Sequence, residues 1–148
     1  MRNILTLLGF SVLLSSCSIL DSDLRVKVDS GWLQGSEENK VLSFKGIPFA
    51  ASTAGNNRWR PPQIKEPWKG TRYALDYGDF CPQSKRDTLW FELGKTSEDC
   101  LTLNVWTPKN SSVSQLPVMV WIHGGGYLQG SGNIPRLNNP EFAKQDVV

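Results

Sequence analysis

Apolar residues are concentrated at the N-terminus of the chain and then recur in short runs. The longest apolar stretch, Ile4 to Leu14, follows a short positive segment, Met1 to Asn3. That order is typical of a secretory signal peptide, in which a charged start precedes an apolar run of this length. No stretch reaches the roughly 18 uninterrupted apolar residues that a membrane-spanning helix needs. We therefore expect residues 1–16 to be a signal peptide that takes no part in the fold.

A cysteine follows directly on this segment. The run Leu14-Ser15-Ser16-Cys17 resembles the lipobox of bacterial lipoproteins, in which the cysteine is lipidated and becomes the mature N-terminus. Acyl chains would anchor Cys17 in a membrane, at roughly 0.8 kcal/mol for each buried methylene. Residues 17–23 would then tether the protein to the bacterial cell envelope, at the outer membrane or its periplasmic face. Ser18 in place of Asp resembles the outer-membrane sorting pattern. The alternative is a soluble secreted protein, which would need a cleavage site of the A-x-A type.

The mature chain opens with patterns of β-structure. Leu24 to Val28 alternates apolar and charged residues, Asp29 to Gly31 is a turn signal, and Trp32 to Gly35 continues the strand pattern. Together these segments predict a hairpin. Val41 to Phe44 predicts a third short strand. Loops that are rich in glycine, asparagine and proline follow at residues 46–50, 55–57 and 60–62, and long irregular loops tend to carry function.

The second half of the chain changes from alternating to continuous apolar runs. Leu101 to Trp106 alternates and predicts a strand that Pro108 stops, whereas Val118 to Ile122 is continuously apolar and predicts a strand buried on both faces. Asn139 to Lys144 predicts a helix, because it opens with an N-cap residue, a proline and an early acid. Val147 and Val148 predict the start of another buried strand. This order of elements indicates an α/β domain whose catalytic parts are still to come.

Composition and charge narrow the class of protein. The chain has 148 residues, of which 39% are hydrophobic and 20% charged, as in about one globular domain and unlike a disordered chain. Lys and Arg number 16 against 14 Asp and Glu, and the net charge of +2 excludes a strongly basic nucleic-acid binder. The 6 tryptophans suit a packed core or an apolar cleft. Nothing in the sequence implies a metal ion, a nucleotide cofactor or a nucleic-acid partner.

The chain has 3 cysteines, one directly after the expected signal peptide and two in the mature domain. If lipidation uses Cys17, then Cys81 and Cys100 remain as a pair in an oxidising compartment. A disulfide between them would stabilise the fold by about 3 kcal/mol in the chain-entropy description. Two separate reduced thiols are the alternative. A metal site is a weaker interpretation, because two widely spaced cysteines and one histidine do not form a ligand cluster of the C-x-x-C type.

Four motifs follow one another along the chain: Phe44–Ala50 (FKGIPFA), Arg58–Pro62 (RWRPP), Ser97–Val105 (SEDCLTLNV) and Pro117–Gly126 (PVMVWIHGGG). In this order they resemble the N-terminal part of the type-B carboxylesterase and cholinesterase family. The resemblance implies an α/β-hydrolase fold, in which antiparallel N-terminal strands lead into a central mixed sheet. It also implies hydrolysis of a small-molecule carboxylic ester through a triad of Ser, Glu or Asp, and His, without a cofactor. Residues 24–148 would be about the first quarter of that domain, truncated at the C-terminus.

The glycine run after the apolar segment is the candidate for catalytic chemistry. Acyl transfer places negative charge on the carbonyl oxygen, and backbone amides that are fixed beforehand can stabilise it. The resemblance assigns this oxyanion hole to the amides of Gly125 and Gly126, with His123 and Gly124 as structural residues of the loop. Loss of one such donor typically costs on the order of 2.7 to 4 kcal/mol in the barrier. A flexible glycine-rich turn is the alternative. A phosphate-binding loop fits worse, because Gln129 stands where G-x-G-x-x-G needs its third glycine.

No catalytic nucleophile is recognisable among these 148 residues. The nucleophile elbow of this fold has the pattern G-x-S-x-G, and no serine of the chain has a glycine both two residues before it and two residues after it; Ser131, for example, has Gln129 and Asn133 at those positions. His123 is the only histidine. Its place in the glycine loop matches the family's structural histidine, whereas the family's catalytic histidine comes far downstream. We therefore expect the triad to lie beyond Val148 and residues 1–148 to be inactive by themselves.

The resemblance also assigns contacts around the candidate site. In the family, an arginine that matches Arg58 pairs with a glutamate that matches Glu98, which would join two loops by a bidentate salt bridge. A solvated surface pair is the alternative. Cys81 and Cys100 match the ends of the family's disulfide-closed loop at the rim of the active-site gorge. Trp90 resembles an aromatic residue of the cholinesterase gorge, but the loop is longer there, and packing is the favoured role for this side chain.

Three hypotheses about function follow from these patterns. The leading one is the N-terminal part of an envelope-anchored serine carboxylesterase. The second is a non-catalytic esterase-like protein for binding or adhesion, which a downstream sequence without G-x-S-x-G would indicate. The third is a short lipoprotein, a remnant that binds an anion at its glycine loop. The uncovered edge and apolar face of an unfinished parallel sheet argue against the third hypothesis.

Overall fold

The computed structural model of the protein describes residues 24–84, 91–138 and 140–148. The expected signal peptide, the lipidation site Cys17 and the tether 17–23 lie outside these residues, as do Trp90 and Asn139. In the part of the chain that the structure describes, no helix is long and apolar enough to span a bilayer.

The regular structure of the described residues is mostly β, in two small sheets of three strands each. One sheet has the order β1-β2-β5 and the other the order β3-β4-β6. The strands are β1 (Arg25–Val28), β2 (Gly31–Gln34), β3 (Ser36–Glu38), β4 (Val41–Pro48), β5 (Thr71–Tyr73) and β6 (Thr102–Pro108), and 3-10 turns span Gly55–Asn57, Pro135–Leu137 and Ala143–Gln145.

The predicted N-terminal hairpin is confirmed. Strands β1 and β2 pair antiparallel, with Arg25 opposite Gln34 and Val28 opposite Gly31. Strand β5 then adds to β2 in the parallel direction, with Leu33 opposite Arg72. Parallel strands need a long crossover connection, and the connection between β2 and β5 contains strands β3 and β4 of the second sheet. Side-chain alternation within β1 and β2 could predict the hairpin, but not this third strand.

Strand β4 is longer than the sequence pattern predicted, because a bulge lets it continue past Phe44. The register with β6 shifts between Phe44 and Ile47. The amide of Gly46 at this irregularity donates to Oδ1 of Asn104 on β6, at 2.9 Å. A side chain thus replaces the missing partner of the ladder. The loop that was expected to start at residue 46 starts only after Pro48.

Strand β6 is confirmed in place, but Pro108 belongs to it. Pro108 is the last residue of the strand and lies opposite Val41 of β4. A proline cannot donate to a ladder, so it is tolerated at a strand end. The next amide, that of Lys109, donates to the carbonyl of Lys40 at 2.8 Å and closes the pairing. Strand β3, which the sequence did not predict, pairs with the other edge of β4.

The main core lies where residues of the two sheets meet. Leu33 of β2 and Phe44 of β4 are buried together with Ala74, which follows β5. Leu33 is only 1% exposed, and full burial of such a side chain is worth roughly 1.5 to 3 kcal/mol. Trp68 packs at the edge of this core, and its indole nitrogen donates to the carbonyl of Trp32 at 2.9 Å.

A second, smaller core lies beside the segment between Cys81 and Cys100. Phe80 and Phe91 stack with their ring centroids 6.1 Å apart, and Ile134 is buried with them. Phe80 also forms an isolated bridge with Thr96. This cluster packs the residues that follow the glycine-rich loop against the disulfide segment.

The prediction of a strand buried on both faces at Val118–Ile122 is wrong for this structure. The segment is not a strand, and its side chains are exposed, with Ile122 at 83%. Such a strand needs ladder partners at its edges and cover on both faces. Among the described residues, Val148 alone pairs with it: the amide of Met119 donates to the carbonyl of Val148 (2.7 Å), and the amide of Val148 to the carbonyl of Pro117 (2.9 Å). These two bonds have the pattern of a parallel strand pair, but the pairing involves Val148 alone on one side.

The helix expected at residues 139–144 is reduced to a turn. Asn139 lies outside the described residues, and Ala143–Gln145 forms a 3-10 turn in place of an α-helix. Asp146 takes the left-handed conformation with φ 59°, and the amide of Val147 reaches back to the carbonyl of Phe142 at 3.1 Å. A left-handed residue closed by a bond of this span ends a helix, so the turn stops before a second one can form. Val147 and Val148 are likewise not a strand, apart from the contact with residues 117–119.

Candidate active site

The glycine-rich loop runs from His123 to Gly130 and closes on itself as a tight turn. The amides of Leu128 and Gln129 both donate to the carbonyl of Gly125, at 3.1 and 3.3 Å. Among the described residues, the amides of Gly125 and Gly126 donate to no acceptor. Backbone donors without a partner can serve an anion that develops between them. The residues named from the sequence are thus together in one turn with their donors free of described partners.

Gly125 is required by the geometry of this turn. Its φ is 135°, and a Cβ at this position would lie 1.7 Å from the carbonyl oxygen of Gln129. No other residue fits without opening the turn. At Gly126, by contrast, nothing lies within 4 Å of where a Cβ would stand. The loop is therefore packed tightly on the side of Gly125 and open to an incoming molecule at Gly126.

His123 is exposed, and its ring is held against the loop by a hydrogen bond and by packing. Its Nδ1 is 2.8 Å from the carbonyl oxygen of Gly124, so Nδ1 carries the proton that it donates there. The same ring lies against Gly130, where a Cβ would stand 2.7 Å from Nδ1 and 2.4 Å from the carbonyl of Gly124. These contacts suit the structural role that the sequence resemblance assigned to His123.

Gln83 joins the loop to the disulfide segment, and the sequence analysis did not single it out. Its Nε2 donates to the carbonyl of Gly130 at 3.0 Å, and its Oε1 accepts from the amide of Gly130 at 2.9 Å. Nε2 also donates to the carbonyl of Cys81 at 3.2 Å. The only sequence signal was its place two residues after a cysteine assigned to the gorge rim.

Two asparagines, Asn133, which is buried, and Asn104, which is half-buried, fasten the chain after the loop. Asn104 of β6 donates from Nδ2 to the carbonyl of Gly132 (3.1 Å) and to Oδ1 of Asn133 (3.0 Å). Asn133 is 5% exposed and donates in turn to the carbonyl of Gly78 at 3.0 Å. A buried polar network of this kind holds its members in a single arrangement when every group is paired. The chain that follows the loop is thus attached to strand β6 of the second sheet.

The disulfide between Cys81 and Cys100 is confirmed. The two Cα atoms lie 5.1 Å apart across a sequence separation of 19. Closing a loop of that length restricts the unfolded chain and is worth about 3 kcal/mol in the entropic description. Cys100 is buried, and Phe91 of the disulfide loop stacks on Phe80, whereas Trp90 of the same loop lies outside the described residues.

Arg58 and Glu98 form a salt bridge in the structure. Nη1 of Arg58 lies 2.5 Å from Oε1 of Glu98, and the two side chains are 59% and 28% exposed. In the described chain the pair meets through this one contact instead of the bidentate geometry that was expected. Glu98 is also held by its backbone, because the amide and the hydroxyl of Thr53 both donate to its carbonyl, at 3.1 and 2.8 Å. A pair this exposed contributes up to about 1 kcal/mol.

A cavity of about 970 Å³ opens next to the glycine loop. Its wall includes Leu103 and Val105 of β6, the apolar run 118–122 and the residues 127–133. Gly125 and Gly126 do not line it. We attribute the cavity to the uncovered inner side of the run 118–122 and not to a substrate pocket. Among the described residues there is also no group of three or more side chains that could hold a metal ion.

Comparison with known proteins identifies the family to which these features correspond. The model of the carboxylesterase family matches residues 22–148. The chain is 38% identical over 142 residues to a fumonisin B1 esterase of Sphingopyxis macrogoltabida, covering 96% of this chain and 26% of that protein. It is 40% identical over 126 residues to a para-nitrobenzyl esterase of Bacillus subtilis (strain 168), covering 83% and 25%. It is also 36% identical over 141 residues to an acetylcholinesterase of Electrophorus electricus, covering 86% and 22%.

Solved structures give the same result for the fold. A PNB esterase superposes with a TM-score of 0.78 at 38% sequence identity, over 85% of this chain and 26% of that one. A thermophilic PNB esterase superposes with a TM-score of 0.76 at 38% identity, over 82% and 26%. The chain therefore spans about a quarter of the length of the relatives that it matches.

Proposed function

Because this chain belongs to the carboxylesterase family, we propose that it is the N-terminal part of a serine-type carboxylic ester hydrolase and supplies the oxyanion loop of that enzyme. Its relatives include proteins named as esterases and hydrolases. The expected α/β-hydrolase fold class is confirmed by the likeness to PNB esterases. The described residues are the strand-rich beginning of that fold.

The observation that carries the proposal is the pair of amides at Gly125 and Gly126. Both lie in one turn, and neither donates to an acceptor among the described residues. The carbonyl of Gly125 is already used within the turn by Leu128 and Gln129. The turn is therefore held by the carbonyl of Gly125, whereas the N–H groups of Gly125 and Gly126 stay available. A loop that presents donors in a fixed arrangement suits an oxygen that becomes negative only during reaction.

The chemistry of the proposed reaction follows from this arrangement. A serine oxygen attacks the acyl carbon of the ester while a histidine accepts the serine proton. The carbonyl electron pair moves onto the oxygen, which the amides of Gly125 and Gly126 stabilise. When the pair returns, the ester's alcohol leaves with the proton from the histidine. Water then repeats the two steps on the acyl-enzyme and releases the acid, so the enzyme needs no cofactor.

The nucleophile, the acid and the base belong to sequence beyond Val148 in this proposal. No G-x-S-x-G elbow occurs in the 148 residues, and Nδ1 of His123 forms a hydrogen bond within the loop. Residues 1–148 by themselves are then inactive toward esters. We also propose that Cys17 carries the lipid that attaches the enzyme to the cell envelope, with residues 1–16 removed as a signal peptide.

The test compares a glycine inside the loop with a matched glycine outside it. The protein is expressed from its complete reading frame, and hydrolysis of p-nitrophenyl butyrate is measured for the wild type, Gly125→Ala and Gly55→Ala. Gly55 also has a positive φ, 58°, but a Cβ there meets nothing within 4 Å. We expect kcat/KM to fall about 10²- to 10³-fold in Gly125→Ala, as for loss of one oxyanion donor, and to stay at the wild-type level in Gly55→Ala.

Two results would overturn the proposal. One is a complete reading frame that lacks any G-x-S-x-G elbow and has no esterase activity, which would favour the binding or adhesion hypothesis. The other is wild-type activity in Gly125→Ala, because the turn cannot keep its geometry with a Cβ at that position. Residues 1–148 expressed alone should give no hydrolysis above the uncatalysed rate.

A further inference from the structure

We propose that Gln83 is a positioning residue for the oxyanion loop. It contributes no group to the reaction. It holds Gly130, and through Gly130 it keeps the turn that presents the amides of Gly125 and Gly126. This inference rests on the proposed function of that loop and adds a residue to which neither the motifs nor the family resemblance assigned a role.

The contact between Gln83 and Gly130 is a two-point lock. The side-chain amide gives one hydrogen bond and receives another, at 3.0 and 2.9 Å, and so takes the place of a neighbouring strand. Its second N–H donates to the carbonyl of Cys81 at 3.2 Å. Only one orientation of the amide satisfies all three bonds. A flip would set Nε2 against the N–H of Gly130 and Oε1 against two carbonyl oxygens.

The lock reaches the donor residues through close packing. A Cβ on Gly130 would lie 2.4 Å from the carbonyl oxygen of Gly124 and 2.7 Å from Nδ1 of His123, so the two ends of the loop are in direct contact. Gly124 immediately precedes Gly125. On the other side, the carbonyl of Gln129 lies against Gly125, where a Cβ would stand 1.7 Å from it. A displacement of Gly130 is therefore passed to the peptide of Gly125 from both directions.

Among the described residues outside the loop, Gln83 alone has a side chain that hydrogen-bonds to it. The asparagine network fastens Gly132 and Asn133, which lie beyond the loop. Gly124 and Gly126 have nothing within 4 Å of their Cβ positions. Among the described residues, the polar side-chain contacts of segment 124–130 with more distant elements come from Gln83. Without Gln83, the N–H and C=O groups of Gly130 would bond to water instead, and the loop would no longer be held in one position.

The test uses the enzyme from its complete reading frame and three variants. Gln83→Met keeps the length of the side chain and removes all three hydrogen bonds. Gln83→Glu keeps an acceptor for the amide of Gly130, but it sets oxygen against the carbonyls of Gly130 and Cys81. Gln63→Met is the matched control, because Gln63 also donates from Nε2 to a carbonyl two residues back, that of Pro61 (2.8 Å), at an exposed position.

We expect a loss in kcat without a matching loss in stability. A misplacement of about 1 Å near a reacting group can cost on the order of 10²-fold, so kcat for p-nitrophenyl butyrate should fall about 10- to 100-fold in both Gln83 variants. KM and the melting temperature should stay close to the wild type. Gln63→Met should match the wild type in kcat, KM and melting temperature.

The glutamate variant provides a readout that a purely structural role would not move. A protonated glutamic acid regains a donor toward the carbonyl of Gly130 and resembles the original amide in shape. The activity of Gln83→Glu relative to the wild type should therefore rise as the pH is lowered toward the ordinary carboxyl pKa of about 4.3. The relative activity of Gln83→Met should stay constant over the same range.

Failure of this inference is distinguishable from failure of the proposed function. Wild-type kcat in Gln83→Met, or a fall in kcat that only parallels a fall in melting temperature, would overturn the role of Gln83 and leave the esterase proposal intact. If the wild type hydrolyses no ester, the proposed function fails. The lock is then judged by amide hydrogen exchange over residues 124–130. Faster exchange in Gln83→Met than in Gln63→Met would support the lock, and equal exchange would overturn it.

Discussion

Gly130 packs against His123 so closely that a Cβ on the glycine would stand 2.7 Å from Nδ1 of the imidazole. The two residues are the ends of the glycine-rich loop, and their contact closes it. His123 in turn bonds to the carbonyl of Gly124. The single histidine of the chain is therefore part of the scaffold of the turn, and the donors of Gly125 and Gly126 depend on how well that scaffold closes.

Replacement of Gly130 by alanine should open the loop. The added Cβ would meet the carbonyl of Gly124 at 2.4 Å, and backbone cannot yield as a flexible side chain would. We expect kcat/KM to fall on the order of 10²-fold, as for a misplaced reacting group. The control is Gly132→Ala two residues on, where a Cβ meets nothing within 4 Å. Equal activities of the two variants in an ester hydrolysis assay would contradict the packing argument.

Removal of the disulfide should lower the free energy of unfolding. Cys81 and Cys100 close a loop with a sequence separation of 19, and the double variant Cys81→Ser/Cys100→Ser should lose about 3 kcal/mol of unfolding free energy. Urea denaturation of the wild type, oxidised and reduced, measures the same quantity without mutation. The reduced wild type and the double variant should unfold at the same urea concentration. Identical midpoints for oxidised and reduced protein would refute the prediction.

Stability at alkaline pH should depend on Tyr77. Burial raises the pKa of its phenol above the ordinary 10.0, and a hydrogen bond with Asn138 opposes that rise in part. The folded state therefore keeps the proton to higher pH than the unfolded state does. The resulting stabilisation is complete below about pH 10 and is lost as the pH rises through the folded pKa.

The measurement is the melting temperature as a function of pH for the wild type, Tyr77→Phe and Tyr73→Phe. Tyr77→Phe should lose less stability above about pH 10 than the wild type, since the titrating group is gone. Tyr73 is 66% exposed, so Tyr73→Phe controls for loss of a phenol and should follow the wild-type curve. Parallel curves for all three proteins would show that burial of Tyr77 has no effect on alkaline stability.

Lipid attachment should depend on Cys17 and not on its neighbour. In bacteria grown with labelled palmitate, the protein should take up label and sediment with the membrane fraction. Cys17→Ser should abolish both, because the sulfur that accepts the lipid is absent. Ser18→Ala should retain the label. A wild type without label, or a labelled Cys17→Ser, would disprove lipidation at this position and favour a soluble secreted protein.

Elements formed by neighbouring residues were predictable from the sequence. Alternation in residues 24–35 predicted the hairpin of β1 and β2, and alternation in residues 101–106 located β6. In both cases successive side chains alternate between a buried and a solvent-exposed face, and this alternation is visible without the rest of the chain. The arithmetic of three cysteines indicated the disulfide, and the structure confirmed it.

Other features depended on partners that no local pattern contains. Val118–Ile122 has the composition of a buried strand, but a strand is stable only when its backbone groups are paired, and among the described residues only Val148 pairs with it. The expected helix ended after one turn because Asp146 adopts a left-handed conformation. The bulge in β4 similarly requires Asn104 of a distant strand.

The sequence by itself predicted the first hairpin and β6, because side-chain alternation shows which face of a strand is buried. The count of cysteines indicated the disulfide, and the family resemblance assigned the glycines of the loop. Only the tertiary structure decided what holds that loop in place. Gln83 and Gly130 are 47 positions apart, and neither the type of residue nor its spacing indicates that they meet. Their hydrogen bonds require the tertiary fold, because only the fold brings the disulfide segment next to the glycine-rich loop.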